Sequence, residues 1–135
     1  TFAVGNFEYK IVNDNAVITN VSDVNITSLK IATAVTINNT SYKVTGINAS
    51  VFKKCKNLKS VVIGKHVQII GKNAFAGCSK LKKITIKSTK LKKIGKNAFK
   101  GINKKAVIRI PKSKNKTYKK LLKKGGVKSP VRIKN

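Results

Sequence analysis

IGKNAFAGCSKLKKITI, residues Ile70 to Ile86, is echoed 24 residues on by a second IGKNAF at Ile94 to Phe99 and 23 residues earlier by INASVFKKCKNLKSVVI, Ile47 to Ile63. A recurrence of 23 or 24 residues describes a chain of stacked units, none of which can bury its own apolar side chains. Setting Phe52, Phe75 and Phe99 in one column brings others into line: Val44, Val67 and Leu91; Ile47, Ile70 and Ile94; Val61, Ile84 and Ile108; Ile63, Ile86 and Ile110. Each unit therefore reads V-x-x-I, a turn, a short Ala-Phe helical turn, a polar loop, and L-x-x-[VI]-x-I, whose alternation marks a half-buried strand.

The punctuation between columns supports the same reading. Gly71 and Gly95 follow the column isoleucine, where a sharp turn is expected to want a residue without Cβ, and Asn48 holds that place in the first unit. Asn73 and Asn97 precede the Ala-Phe pair and are expected to cap its helical turn through the side-chain oxygen. Toward the N-terminus, FEYKIV and AVITNV are split by Asn13-Asp14-Asn15, and AVTI and SYKV by Asn38-Asn39-Thr40; both read as hairpins that cover the first rung's open edge. Toward the C-terminus, Ser113 or Asn115 is expected to cap a helix that carries Tyr118, Leu121 and Leu122 on one face, stops at Gly125-Gly126 and closes the far end of the core.

These motifs resemble the BspA-type leucine-rich repeat family of bacterial surface proteins, whose units read roughly I-G-x-x-A-F-x-x-C-x-x-L-x-x-[IV]-x-I. Ile70 to Ile86 fits throughout, Ile47 to Ile63 departs at the Gly and the Ala, and the last unit has Ile102 for the Cys and Lys105 for the Leu, as a terminal repeat does. The expected fold is a right-handed leucine-rich-repeat solenoid, β-rich with short helical or 3-10 turns, in a single domain over residues 1–135. Within it, residues 1–43 form an N-terminal β cap and a degenerate first repeat, 44–111 three repeat units, and 112–135 a C-terminal cap.

Charge is the second signal. The chain holds 31 Lys and Arg against 3 acidic residues, a net +28. Glu8, Asp14 and Asp23 are the acids and Lys10 the one cation before Val24, so residues 24–135 carry +30 and residues 1–23 carry −2. Abundant Lys, Ile and Asn fit a genome poor in G and C, but codon bias does not remove Asp and Glu. The one-sided field points to an anionic environment or partner, with drift on a solvated surface as the alternative. No stretch of about 18 apolar residues exists, so no membrane-spanning helix is expected. An export signal, if there is one, is expected upstream of Thr1.

Catalytic chemistry has little to work with. Cys55 and Cys78 are one repeat apart and read as core thiols; a disulfide between neighbouring rungs would need parallel side chains to turn toward each other. His66 is the lone histidine, beside Lys65 in an inter-repeat loop, with no acid or thiol nearby in sequence to orient it. With every carboxylate near the N-terminus, neither paired-acid hydrolysis nor a carboxylate-bound metal is expected, and no cofactor motif is present.

Lysines are the surface feature with functional content. Repeat alignment places Lys59 over Lys82, Lys72 over Lys96 and Lys80 over Lys104, with Lys83 expected near Lys92 and Lys93. An anionic polymer along such rows would relieve their mutual repulsion and release counterions. The strand positions between columns, Ser60, Val62, Lys83, Thr85, Val107 and Arg109, form a second candidate ligand face, expected to be small and mildly apolar. The resemblance implies a non-enzymatic adhesion module, extracellular or on the bacterial surface, that meets host or neighbouring-cell proteins or glycans. The charge adds anionic cell-wall polymers. Two alternatives stand beside it: nonspecific nucleic-acid binding, which a sequence pI near 10.6 favours and the scarcity of free aromatic rings disfavours, and a structural spacer with no ligand of its own.

Overall fold

The alternation in L-x-x-[VI]-x-I and the short V-x-x-I pattern each form strand, and the period stacks them into two separate sheets. A computed structural model describes all 135 residues, Thr1–Asn135. In chain order the elements are β1 (Phe2–Val4), β2 (Phe7–Val12), β3 (Asn15–Val21), β4 (Ser28–Lys30), β5 (Ala34–Ile37), β6 (Thr40–Ile47), β7 (Ser60–Ile63), β8 (Ile69–Ile70), β9 (Lys83–Ile86), β10 (Lys93–Ile94), β11 (Val107–Arg109), a 3-10 turn (Lys112–Lys114), α1 (Asn115–Lys124) and β12 (Arg132–Lys134). Sheet I runs β1-β2-β3-β6-β8-β10, with β5 on the first half of β6; sheet II runs β12-β11-β9-β7-β4. Each coil crosses sheet I, turns through the Ala-Phe segment, crosses sheet II and returns.

Stacking is in register on both sheets. Ile47 pairs with Ile70 and Ile70 with Ile94 in sheet I, while Val61, Ile84 and Ile108 align in sheet II. The Ala-Phe turns form a third ladder: Phe52 N–H donates to Ala74 C=O at 2.9 Å, Phe75 N–H to Ala98 C=O at 2.7 Å, and Phe99 N–H to Gly125 C=O at 2.8 Å. The end of α1 thus supplies the acceptor that another coil would have offered. Inside, 35 residues form one apolar cluster containing every column residue. The column phenylalanines stack face to face, Phe52 on Phe75 at 5.1 Å and Phe75 on Phe99 at 5.3 Å, and Phe7 closes the row edge-on at 6.0 Å.

The turn residues work differently from the expectation. Asn73 and Asn97, with Ser50 before them, hold the left-handed conformation at φ 59°, 61° and 62°, so they shape the turn with their backbones and do not cap it. Gly71 and Gly95 are not left-handed. A Cβ on Gly71 would lie 2.5 Å from Ala49 N, and one on Gly95 2.4 Å from Lys72 N, so these glycines let one coil's backbone press on the next. Asn48 makes the equivalent backbone bond, its N–H donating to Ile18 C=O of β3 as Gly71 N–H does to Ile47 C=O and Gly95 N–H to Ile70 C=O.

The 23 and 24 residue spacings differ at one corner only. Between Ile63 and Val67 lie Gly64, Lys65 and His66, whereas Lys87 to Lys90 lie between Ile86 and Leu91; every other column interval is constant. The surplus is absorbed by turning Ser88 inward, where its buried Oγ donates to Val67 C=O at 2.6 Å. Tyr118 of α1 seals this corner: its hydroxyl donates to Ser88 C=O at 2.8 Å and accepts from Leu91 N–H at 3.0 Å. At the same corner of the preceding coil, between Ile31 and Val44, the chain inserts β5 and the first half of β6.

Both hairpins form, through turns with positive φ at Asn13, Asp14, Asn38 and Asn39. They extend sheet I, where β3 lies parallel to β6, rather than covering both edges; β4 stays the terminal strand of sheet II. Helix α1 has no side-chain cap: Ser113 sits in the 3-10 turn, and Asn115 Oδ1 accepts from Asn135 at 3.0 Å. Tyr118 and Leu122 are buried and Leu121 half-buried, and Gly125 ends the helix by donating to Leu121 C=O.

Candidate functional site

Parallel register turns the strand positions between columns into rows that cross sheet II. Ser28, Ser60, Lys83, Val107 and Arg132 make one row; Lys30, Val62, Thr85, Arg109 and Lys134 make the next. The six residues expected on this face are therefore together, one strand spacing of about 4.8 Å between successive members. Its chemistry differs from the expectation. Lys30, Arg132 and Lys134 join Lys83 and Arg109, so the face is basic at both ends with only Ser60, Val62, Thr85 and Val107 uncharged in its middle strands. The missed cations belong to β4 and β12, which lie outside the readable repeat.

The other lysines divide among several surfaces. Lys59 and Lys82 stand on adjacent coils just before β7 and β9, joined by a 3.0 Å bond from Lys82 N–H to Lys59 C=O. Lys72 and Lys96 follow Gly71 and Gly95 on the corner leaving sheet I, and Lys80 and Lys104 occupy the polar loop leading into sheet II. Lys92 and Lys93 lie at β10, beside Gln68 and Ile69. They belong to sheet I, whereas Lys83 belongs to sheet II, so the structure separates residues that sequence proximity had grouped.

Few of these ammonium groups are tied down. Lys56 Nζ donates to Gly77 C=O at 3.1 Å and Lys80 Nζ to Asn57 Oδ1 at 3.3 Å, both neutral acceptors on a neighbouring coil. Of the three carboxylates, all near the N-terminus, Glu8 accepts from Asn20 and Asp23 accepts from the Asn25 N–H at 2.8 Å. A positive field without internal counter-charge is what sheet II presents to solvent.

Both cysteines are buried free thiols. Cys78 Sγ donates to Phe52 C=O at 3.3 Å, and burial, together with Cys55 beside it, pushes its pKa up to about 11, which suppresses the nucleophilic thiolate. Burial likewise raises the Cys55 thiol. His66 is part-exposed, and desolvation with Lys43, Lys90 and Lys65 nearby lowers its pKa, favouring neutral imidazole. No three His, Cys, Asp or Glu side chains converge on a common point.

Coils built from two parallel sheets joined by stacked Ala-Phe turns define a leucine-rich-repeat protein. The model described as BspA type leucine rich repeat region matches residues 45–129 in six copies, and the chain belongs to this family. It is similar to a leucine rich cell surface protein from Faecalibacterium prausnitzii, at 27% identity and a TM-score of 0.69, over 82% of this chain but 36% of that one. A leucine-rich repeat protein from Bacteroides capillosus shares the fold with a TM-score of 0.71 at 24% identity, covering 99% of this chain and 98% of its own. Another, from Bacteroides ovatus, shares it at 23% identity with a TM-score of 0.63, 98% of this chain against 37% of that one. No curated protein matches the sequence.

Proposed function

We propose that this chain is a non-enzymatic binding module of a bacterial cell-surface or secreted protein, with sheet II and its flanking lysines as the face that attracts anionic cell-wall polymers or acidic glycans. The observation that carries the reading is the register of Lys30, Lys83, Arg109, Arg132 and Lys134 across five parallel strands, in a region without a single carboxylate side chain. A linear polyanion laid across the strands meets cations on β4, β9, β11 and β12, passing the uncharged β7, and discharges their repulsion together. Both of the chain's arginines, Arg109 and Arg132, stand on this face and add planar donors suited to phosphate or carboxylate, while the surrounding lysines attract diffusely through compact ammonium groups. The surface placement rests on the family and on the Faecalibacterium relative, a leucine rich cell surface protein; no helix is long and apolar enough to cross a membrane.

Nucleic acid would feel the same field, but Phe52, Phe75, Phe99, Tyr9 and Tyr118 are buried, which leaves Phe2 as the one exposed ring and little to stack on bases. Binding to lipoteichoic acid, heparin and duplex DNA across a salt series tests the proposal. Log affinity is expected to fall linearly with log salt for each, and Lys82→Glu with Lys83→Glu is expected to weaken lipoteichoic acid and heparin about tenfold more than Lys92→Glu with Lys93→Glu. Equal loss from the two double variants would show that net charge acts without a face, and no loss from either would end the polyanion reading.

A further inference from the structure

Sheet I carries an outer surface that breaks the pattern of the rest of the molecule. Thr45-Gly46, Gln68-Ile69 and Lys92-Lys93 occupy equivalent places between buried column residues, and the register sets Val17 beside Gly46, Gly46 beside Ile69, and Ile69 beside Lys93. Ile69 is 48% exposed and Val12 39%, and these two of the three exposed large apolar side chains line one groove of about 320 Å³ together with Val17 and Gly46. Lys10 is the one cation among the groove's lining residues, and Asp14 stands between two of them, Asn13 and Asn15.

The fold does not ask for these residues. Lys93 shows that the coil accepts lysine at the place Ile69 holds. Gly46 has no left-handed φ, and a Cβ there would sit 3.4 Å from Val17 Cγ1, an ordinary contact, unlike the collisions at Gly71 and Gly95. What the missing Cβ does is open a notch between Val17 and Ile69. An apolar notch that folding does not require, on a surface otherwise kept polar, marks a place of contact.

We propose that this notch docks a protein partner, an acidic segment that projects one large apolar side chain between Val17 and Ile69. Val12, Val17, Ile47 and Ile69 supply the apolar part of the lining and Asn13, Asn15, Thr45, Asn48 and Gln68 most of the rest, with no aromatic ring to lie against a sugar face, so the apolar part is offered to a side chain. Lys10 in the lining and Lys92 and Lys93 at the next strand outnumber Asp14 at the hairpin turn, so an acidic segment flanking the anchor is favoured over a basic one at first encounter. Strand addition is not the mode, since β8 is already paired with β6 and β10. The site is separate from the basic rows of sheet II, and the two readings fail independently.

The test is a synthetic peptide of Asp and Glu with one central Trp, compared with its twin carrying Ala in place of Trp, titrated into ¹⁵N-labelled protein. The Trp peptide is expected to bind about tenfold more tightly than its twin, as burial of one large apolar side chain supports, and to shift the amides of Val17, Gly46 and Ile69. Ile69→Lys copies the next coil and so keeps the fold; it is expected to abolish the difference between the twins while heparin affinity, which an added cation favours, does not fall. Gly46→Ala, filling the notch, is expected to narrow the difference as well. Equal binding of the twins, or a rise in Trp-peptide affinity with Ile69→Lys that parallels heparin, would overturn the proposal in favour of charge alone. Shifts of the same amides by maltotriose and not by the peptide would overturn it in favour of a glycan site.

Discussion

Ile70 and Ile94 occupy equivalent places on neighbouring coils and are both buried; Ile69 and Lys93, one residue before each, are also equivalent and share no chemistry. The first pair is held alike because each side chain lies on its counterpart in the next coil and a mismatch would leave a cavity or a clash. The second pair faces water, where stacking imposes nothing. Uniformity inside therefore reports packing, and variation outside is where a repeat protein of this kind records what it meets. Glycine shows the same split, obligatory where one backbone presses on another at Gly71 and Gly95 and optional on the open face at Gly46.

The contrast can be broken in order of size. Phe75→Ala removes a ring stacked on both sides and is expected to cost about 3–5 kcal/mol in urea denaturation; a loss no greater than that of a surface variant would show that the ring column is not the support it resembles. Gly95→Ala is expected to cost about 1–3 kcal/mol through overpacking, with Gly46→Ala within about 0.5 kcal/mol of the parent, so similar values would erase the distinction between inner and outer glycines. Asn97→Ala is expected to cost about 1 kcal/mol and Asn97→Gly nearly nothing, because only the left-handed backbone is at stake; equal losses would restore a side-chain cap. The finest test is alkaline. Cys78 is raised from its ordinary 9.0 to about 11, so the fold favours the protonated thiol, and its contribution is complete below pH 9 and is lost as the pH climbs through 11. The readout is the stability gap between the parent and Cys78→Ala, in which titrations common to both proteins cancel and which is expected to shrink over that interval.

Much of the interior was legible because stacking enforces a period: Val44, Ile47, Phe52, Val61, Ile63 and their counterparts could be placed by alignment alone, and all are buried. The roles of the turn residues were not, since a glycine needed for its φ and one needed for lack of a Cβ look identical in sequence. Strands β4 and β12 were missed because three residues carry too little alternation, and with them went Lys30, Arg132 and Lys134 of the candidate face. The grouping of Lys83 with Lys92 and Lys93 failed because a coil sends residues ten apart to different sheets. The groove at Ile69 had a signal that went unused, an apolar residue aligned with Gly46 and Lys93 at a place the repeat leaves to solvent.

One corner of the coil, between the end of a sheet II strand and the next entry to sheet I, holds three residues after Ile63, four after Ile86 and a whole hairpin after Ile31. In the two sheets and the Ala-Phe turns the rungs are tied by backbone ladders, which an added residue would shear. That corner is this architecture's natural port for foreign sequence: an epitope or a second domain spliced between Lys65 and His66 would hang from the stack without unthreading it.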